Sequence, residues 1–199
     1  TDMVQSAFDA LNKYAVFSKV TLSIKDCFLV GCINDQPNDD KAICQGSFYP
    51  SRQLAIFEKP PEQSTNIDAL WHYHDIASGL PRLYPNTVDK FVAPRLNLAT
   101  LNAINYKKGC YIGQEIIARL YFKGKLKHHM YLGKIVSATP LQAGEALFNE
   151  EQKSIGSVVD CITHNNETSL LAITTTQTPG QAYTSQKDLV HAIDLPYTF

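Results

Sequence analysis

The sequence predicts an α+β chain, in which helices and a mixed or antiparallel sheet form a first lobe and a small all-β unit follows. Three observations lead there. Apolar residues recur at helical spacing in two early stretches. Between these they alternate or run together over strand-like lengths, and beyond about residue 125 short apolar runs are parted by turn residues. The composition suits a packed core: of 199 residues, 44% are hydrophobic and 19% charged. That balance excludes a disordered tail, a collagen-like fibre or a solvated coiled coil.

The elements follow in order. Asp2 and Gln5 have capping-box spacing, and Val4, Ala7, Phe8 and Leu11 share one face, so residues 3–12 are predicted helical. Val20, Leu22 and Ile24 alternate with Thr21, Ser23 and Lys25, which predicts a strand with one wet face. Residues 28–33 are an unbroken apolar run, the pattern of a strand covered on both sides. Residues 34–40 have turn composition, and 53–58 predict a further strand. After Pro60-Pro61, residues 67–78 are predicted helical, stopping at Gly79 with Pro81 beyond. A short helix is predicted from Asn97 as N-cap through Leu98, Leu101 and Ile104, and helical periodicity resumes at Ile116-Ile117.

Runs at 131–136, 155–162, 170–174 and 189–193 are divided by Pro140, Gly144, Asn165-Asn166 and Pro179-Gly180. They predict a small barrel or sandwich. A boundary near residue 124 then gives units 1–124 and 125–199.

The net charge of −1 excludes a bulk binder of nucleic acid or acidic membranes. No apolar run nears the roughly 18 residues needed to span a bilayer, so no membrane partner is expected. The start, Thr1-Asp2-Met3-Val4, reads as a cut inside a longer protein or an imposed boundary. Five scattered cysteines without a Cys-x-x-Cys pair point to a reducing compartment. Cys27, Cys32, Cys44 and Cys161 read as packing residues. On one helix His72 and His74 would diverge by about 200°, and His128-His129 diverge as neighbours, so no resident metal is expected.

Chemistry concentrates in Lys107-Lys108-Gly109-Cys110-Tyr111-Ile112-Gly113-Gln114-Glu115. Two glycines bracket a cysteine and permit positive φ or close backbone approach. If a helix starts after Gly113, the thiol lies in the loop feeding its N-terminus, where free amides favour negative charge. Two lysines beside it add to the conditions that yield a thiolate. The local alternative is a small packing cysteine in a glycine-shaped turn. Glu115 can cap amides or pair with a lysine.

The stretch Lys108-Gly109-Cys110-Tyr111-Ile112-Gly113-Gln114-Glu115 resembles the signature of the YgfZ family, Lys-Gly-Cys-Tyr/Phe-x-Gly-Gln-Glu. The flanks agree: Phe91-Val92-Ala93-Pro94, Asn97-Leu98 and Ile104-Asn105-Tyr106-Lys107 before it, Ala118-Arg119 after it. Similarity extends to residues 13–20 and 75–81, so it covers nearly the whole chain.

The resemblance implies a lobe like the middle lobe of the glycine-cleavage T-protein (an aminomethyltransferase), followed by a C-terminal β-barrel. It also implies a folate-binding accessory factor, with tetrahydrofolate as ligand, in iron–sulfur cluster assembly or repair. Its partners would be iron–sulfur client or assembly proteins, including tRNA-modifying enzymes. Cys110 carries over as the functional cysteine, with Lys108, Gly109, Tyr111, Gly113, Gln114 and Glu115 as the motif around it and Arg119 downstream. Arg95 departs from the pattern, which more often has glutamine there, and receives no role.

With one motif cysteine the chain would hold a cluster only transiently or share it, since clusters take about four ligands. Lys107, Lys108, Arg119, Lys123, Lys125 and Lys127 face Glu115 alone in charge, a local positive field suited to a polyglutamyl tail, a phosphate backbone or an acidic partner. Trp71, Tyr73, Tyr106, Tyr111 and Tyr121 suit a core or a platform for a pteridine. The resemblance begins late in the family's first lobe, so an N-terminal lobe is expected to be missing, which leaves edges that a homodimer or strand exchange could cover. The expected location is the bacterial cytoplasm, or the mitochondrial matrix in a eukaryote. The other readings are a folate-dependent one-carbon transferase and a non-enzymatic tRNA or protein adaptor.

Overall fold

The computed structural model describes residues 3–33, 44–48, 51–60, 65–122, 128–136, 140–175 and 182–197, with the backbone alone for 44–48. It is α+β with a closed barrel, as expected. The chain forms two compact units, residues 1–74 and 75–199. The boundary expected near residue 124 falls outside the described residues.

In the first unit, helix α1 runs Val4–Ser18, well past the predicted residue 12. The Asp2 half of the expected capping box lies outside the described residues. Met3 is the N-cap, and the Gln5 side chain donates to Asp9 Oδ1 at 2.8 Å. The helix ends at Lys19, whose left-handed φ of 52° turns the chain away. Residues 20–25 form no strand: their alternation is real, but no described strand pairs with them. Strands β1 (Phe28–Ile33), β2 (Cys44–Phe48) and β3 (Arg52–Phe57) make an antiparallel sheet in the order β1-β3-β2. As an edge strand, β1 leaves Phe28 and Leu29 exposed, so the expectation of cover on both faces fails there. The turn composition of residues 34–40 lies outside the described residues.

Arg52, fully buried, organises the end of this unit. Its guanidinium lies 4.7 Å from the Trp71 ring centroid and donates to Trp71 O (3.3 Å) and His74 O (3.5 Å) on helix α2, Asp68–Ala77. A cation at these carbonyls also complements the helix dipole.

The second unit is a barrel with a helical layer against its outside. Strands β4 (Met130–Ile135), β5 (Ala146–Phe148), β6 (Ser154–His164), β7 (Glu167–Thr174), β8 (Ala182–Tyr183) and β9 (Leu189–Ile193) close in the order β4-β7-β6-β5-β8-β9. Ile135, Leu147, Val158, Leu170, Ala172 and Val190 fill its interior. Leu132, Val159, Leu171 and Ile173 point outward against Ile76 of α2 and Leu96. The strand covered on both sides is therefore β7, paired with β4 and β6 and buried from Thr168 to Thr174. A register shift between Val158 and Asp160 resets the alternation of β6, so that Val158 and Cys161 both face the core. Asp160 is buried and accepts from Tyr84 Oη (2.6 Å), Arg82 N–H (3.3 Å) and Cys161 N–H (2.8 Å).

Asn97 does not cap a helix. It closes a 3-10 turn, Ala93–Leu96, at a left-handed φ of 58°, and turns rather than a helix follow it. Asn102, also at positive φ (55°), breaks any helix that could run to Ile104. Buried to 1% exposure, the Asn97 amide donates to Met130 O (2.7 Å) and accepts from Met130 N–H (3.3 Å). Tyr197 Oη lies 3.3 Å from the same amide and donates to Gly79 O at 3.1 Å. Gly79 has φ +68°, and a Cβ there would meet Tyr197 Oη at 2.5 Å. The predicted stop of α2 at this glycine is thus needed by both backbone and packing.

Two outcomes follow for stability. Asn97→Ala leaves both backbone groups of Met130 buried and unpaired and costs ~2–4 kcal/mol in denaturant unfolding. Asn97→Gly keeps the backbone freedom but loses the bonds, and falls in the same range. Separately, burial, then the Asp160 and Glu145 charges, push the Cys161 thiol up to about 12 from 9.0. The unfolded chain releases that proton from about pH 9 while the fold retains it, so stability falls as pH rises between those values. Tyr84 and Tyr131, raised chiefly by burial, steepen the loss above pH 10. Cys161→Val flattens the first part of that decline, as read by chemical denaturation at pH 8, 9.5 and 11.

Candidate functional site

The motif forms one bend that feeds helix α3, Gln114–Phe122. The Lys107 N–H donates to Asn105 Oδ1 at 2.8 Å where the bend begins. At its end Gly113 has φ +82°, where a residue with a Cβ strains the backbone. The first helical turn then closes over the bend: Gln114 N–H donates to Tyr111 O (3.1 Å) and Ile117 N–H to Gly113 O (3.2 Å). Cys110 is free and exposed within the bend. Gly109 is also exposed, and a Cβ added there or at Gly113 would meet nothing within 4 Å.

Aromatic rings support the bend. Tyr106 stacks on Tyr121 with centroids 4.1 Å apart and planes 21° from parallel, and Phe122 meets both edge-on at 5.9 and 4.9 Å. The Lys108 ammonium sits 4.8 Å from the centroid of the Tyr111 ring, a cation–π contact. Burial first, then the Tyr121 and Tyr111 phenols, push the Tyr106 phenol up. The hydroxyls of Tyr106 and Tyr111 are buried without a partner among the described residues.

The bend therefore unites Lys108, Gly109, Cys110, Tyr111, Gly113 and Gln114. Glu115 lies in the first turn of α3 and Arg119 in the last, each where its charge suits the helix dipole. Both are exposed, and Glu115 makes neither an amide cap nor a lysine pair with any described residue. Lys123, Lys125 and Lys127 of the expected positive field lie outside the described residues. Helix α3 buries none of its side chains: Ile116 and Phe122 stand 61% and 69% exposed, and Ile112 ahead of them 79%. In sequence the thiol thus lies between two lysines and a stretch with exposed apolar side chains.

The other cysteines differ from expectation in one case. Cys161 packs against the barrel core and its Sγ donates to Leu141 O (3.2 Å). Cys27 is exposed, just ahead of β1 rather than within it, and Cys32 is half-buried. The Cys44 side chain lies outside the described residues. Among the described residues no group of three or more His, Cys, Asp or Glu side chains is placed to hold a metal ion. An exposed thiol in such a bend can act as a nucleophile or lend one ligand to a metal centre held by another molecule.

Native alkylation with iodoacetamide is expected to mark Cys110 and Cys27 and to spare Cys161 until the protein unfolds, as read by peptide mass mapping. Gly113→Ala costs ~1–2 kcal/mol through backbone strain alone, visible as faster amide exchange in α3. Gly109→Ala is nearly neutral.

Among the described residues no helix is long and apolar enough to cross a membrane. No protein-family model matches the chain. Individual proteins do. One from Haemophilus influenzae is 35% identical over 73% of this chain, and the chain spans 53% of that protein's length. The tRNA-modifying protein YgfZ of Aliivibrio fischeri is 28% identical over 98% of this chain and 70% of its own length. Its namesake in Vibrio vulnificus is 30% identical over 65% of this chain and 48% of its own. The chain thus spans from about half to 70% of the length of these relatives. Joined to the barrel, the bend and the motif that forms it, these likenesses place the chain in the YgfZ family.

Proposed function

We propose that the chain is an accessory factor in iron–sulfur cluster assembly or repair that serves tRNA-modifying and other cluster-dependent enzymes through Cys110. The observation that carries this reading is the exposure of the motif cysteine, on a bend closed by Gly113 and flanked by lysines. Relatives named tRNA-modifying proteins supply the biological setting. As thiolate, Cys110 would contribute a single ligand to a cluster that a client or donor protein holds by the rest, since about four are needed. The exposed side chains of Ile112, Ile116 and Phe122 would meet apolar parts of the partner's surface.

Tetrahydrofolate is the ligand that the resemblance implies. The thiol chemistry set out above does not depend on it.

Complementation of a bacterial strain lacking its YgfZ tests the proposal. Expression of this chain is expected to restore cluster-enzyme activity and tRNA modification, and Cys110→Ala, made in equal amount, to fail. Equal rescue by Cys110→Ala would overturn the role of the thiol. Rescue by a full-length relative and not by this chain would assign the activity to the longer protein.

A further inference from the structure

A cavity of about 170 Å³ beside the Ala93–Leu96 turn has a chemistry of its own. It lies where residues 90–95 and His128 meet strands β6 and β7, and it is lined by Lys90, Arg95 and His128 together with Ser157, Thr174 and Thr175. Phe91, Val92, Ile155 and Ile173 supply an apolar wall, Gly156 completes the lining, and no Asp or Glu among the described residues takes part. Lys90, Arg95 and His128 thus all line one concavity of a chain whose net charge is −1.

Each cation is held differently. Lys90 Nζ donates to Gly144 O at 2.8 Å, which anchors the ammonium while leaving its charge uncompensated by that neutral carbonyl. Arg95 lies in the last turn of the Ala93–Leu96 segment, exposed, with no partner among the described residues. His128 Nδ1 is buried and likewise without a partner among them. A buried polar nitrogen left unpaired is costly, and a ligand oxygen would relieve it.

We infer that this cavity binds the phosphate group of a small phosphomonoester. Guanidinium and ammonium groups with several hydroxyls match a tetrahedral dianion, which offers more acceptor oxygens than a carboxylate; arginine presents its donors as a fork suited to phosphate. The volume takes a phosphate and a short organic body, which the Phe91, Val92, Ile155 and Ile173 wall would contact. The same 3-10 segment that carries Arg95 packs against α3, so an occupied cavity would brace the helix that follows the Cys110 bend. The assignment stands on the cavity alone and does not require the proposed role of Cys110.

Isothermal titration of this chain with inorganic phosphate and with phenyl phosphate is the test. Saturable one-site binding is expected, tighter for phenyl phosphate, and weakened ten-fold or more by Arg95→Gln and by Lys90→Gln. Arg95 is exposed, so its variant keeps the wild-type melting temperature. Absence of saturable binding, or equal binding by Arg95→Gln, overturns the inference. Competition by glutarate as effective as that by phosphate overturns the choice of phosphate over carboxylate. Binding of a short single-stranded RNA that Arg95→Gln abolishes, with no binding of either small phosphate, overturns the small-molecule assignment in favour of a nucleic-acid backbone.

Discussion

The two-way bond between the Asn97 amide and the Met130 backbone is the constraint on which the second unit turns. It pins the first residue of β4 to the 3-10 segment ahead of the motif and so ties the barrel wall to the layer that carries the bend. The bond requires an amide, which both donates and accepts, and a residue that tolerates left-handed backbone; asparagine meets both conditions. Tyr197 and Gly79 join the same cluster, bringing together the end of α2 and the end of the barrel. Asp160 does comparable work nearby, holding residues 82–84 against β6.

The bend is built on a different principle. Its shape comes from backbone conformation and ring stacking, with little burial: Gly113 turns the chain, Tyr106 and Tyr121 stack beneath it, and α3 hides none of its side chains. A thiol on such a platform is reachable by a large partner, whereas Cys161 is half-buried against the barrel core, where burial holds its proton on. Two cysteines of one chain thus meet opposite environments, and only one of them suits chemistry with another molecule.

Much of this was legible in the sequence where a local rule applies. Glycine stops and helical periodicity located α2 and the start of α3, and turn residues between apolar runs located β4, β6, β7 and β9, whereas the short β5 and β8 left no run to read. The motif marked the bend, because glycine spacing around a cysteine is a local feature. The rest depended on partners distant in the chain. Residues 20–25 alternate as a strand should, yet alternation shows only what a segment can bury, not whether another strand lies beside it. Asn97 looked like an N-cap because cap-forming and left-handed positions favour the same residue. The apolar run of β1 suggested cover on both faces, but an edge position decided otherwise, and β7 received that cover. The Tyr106–Tyr121 stack joins residues fifteen apart across the bend, and the basic cavity draws on four separated segments, so neither leaves a periodic trace.

The double burial of β7 sets a gradient across the second unit. Its amides, bonded to β4 and β6 and shielded on both faces, exchange with solvent only when the whole barrel opens. Those of α3, none of whose side chains is fully buried, are governed by cheaper, local fluctuations. The molecule can therefore breathe around Cys110 while its barrel stays shut. A partner could remodel the sulfur's surroundings on contact without drawing on the stability that keeps the protein folded.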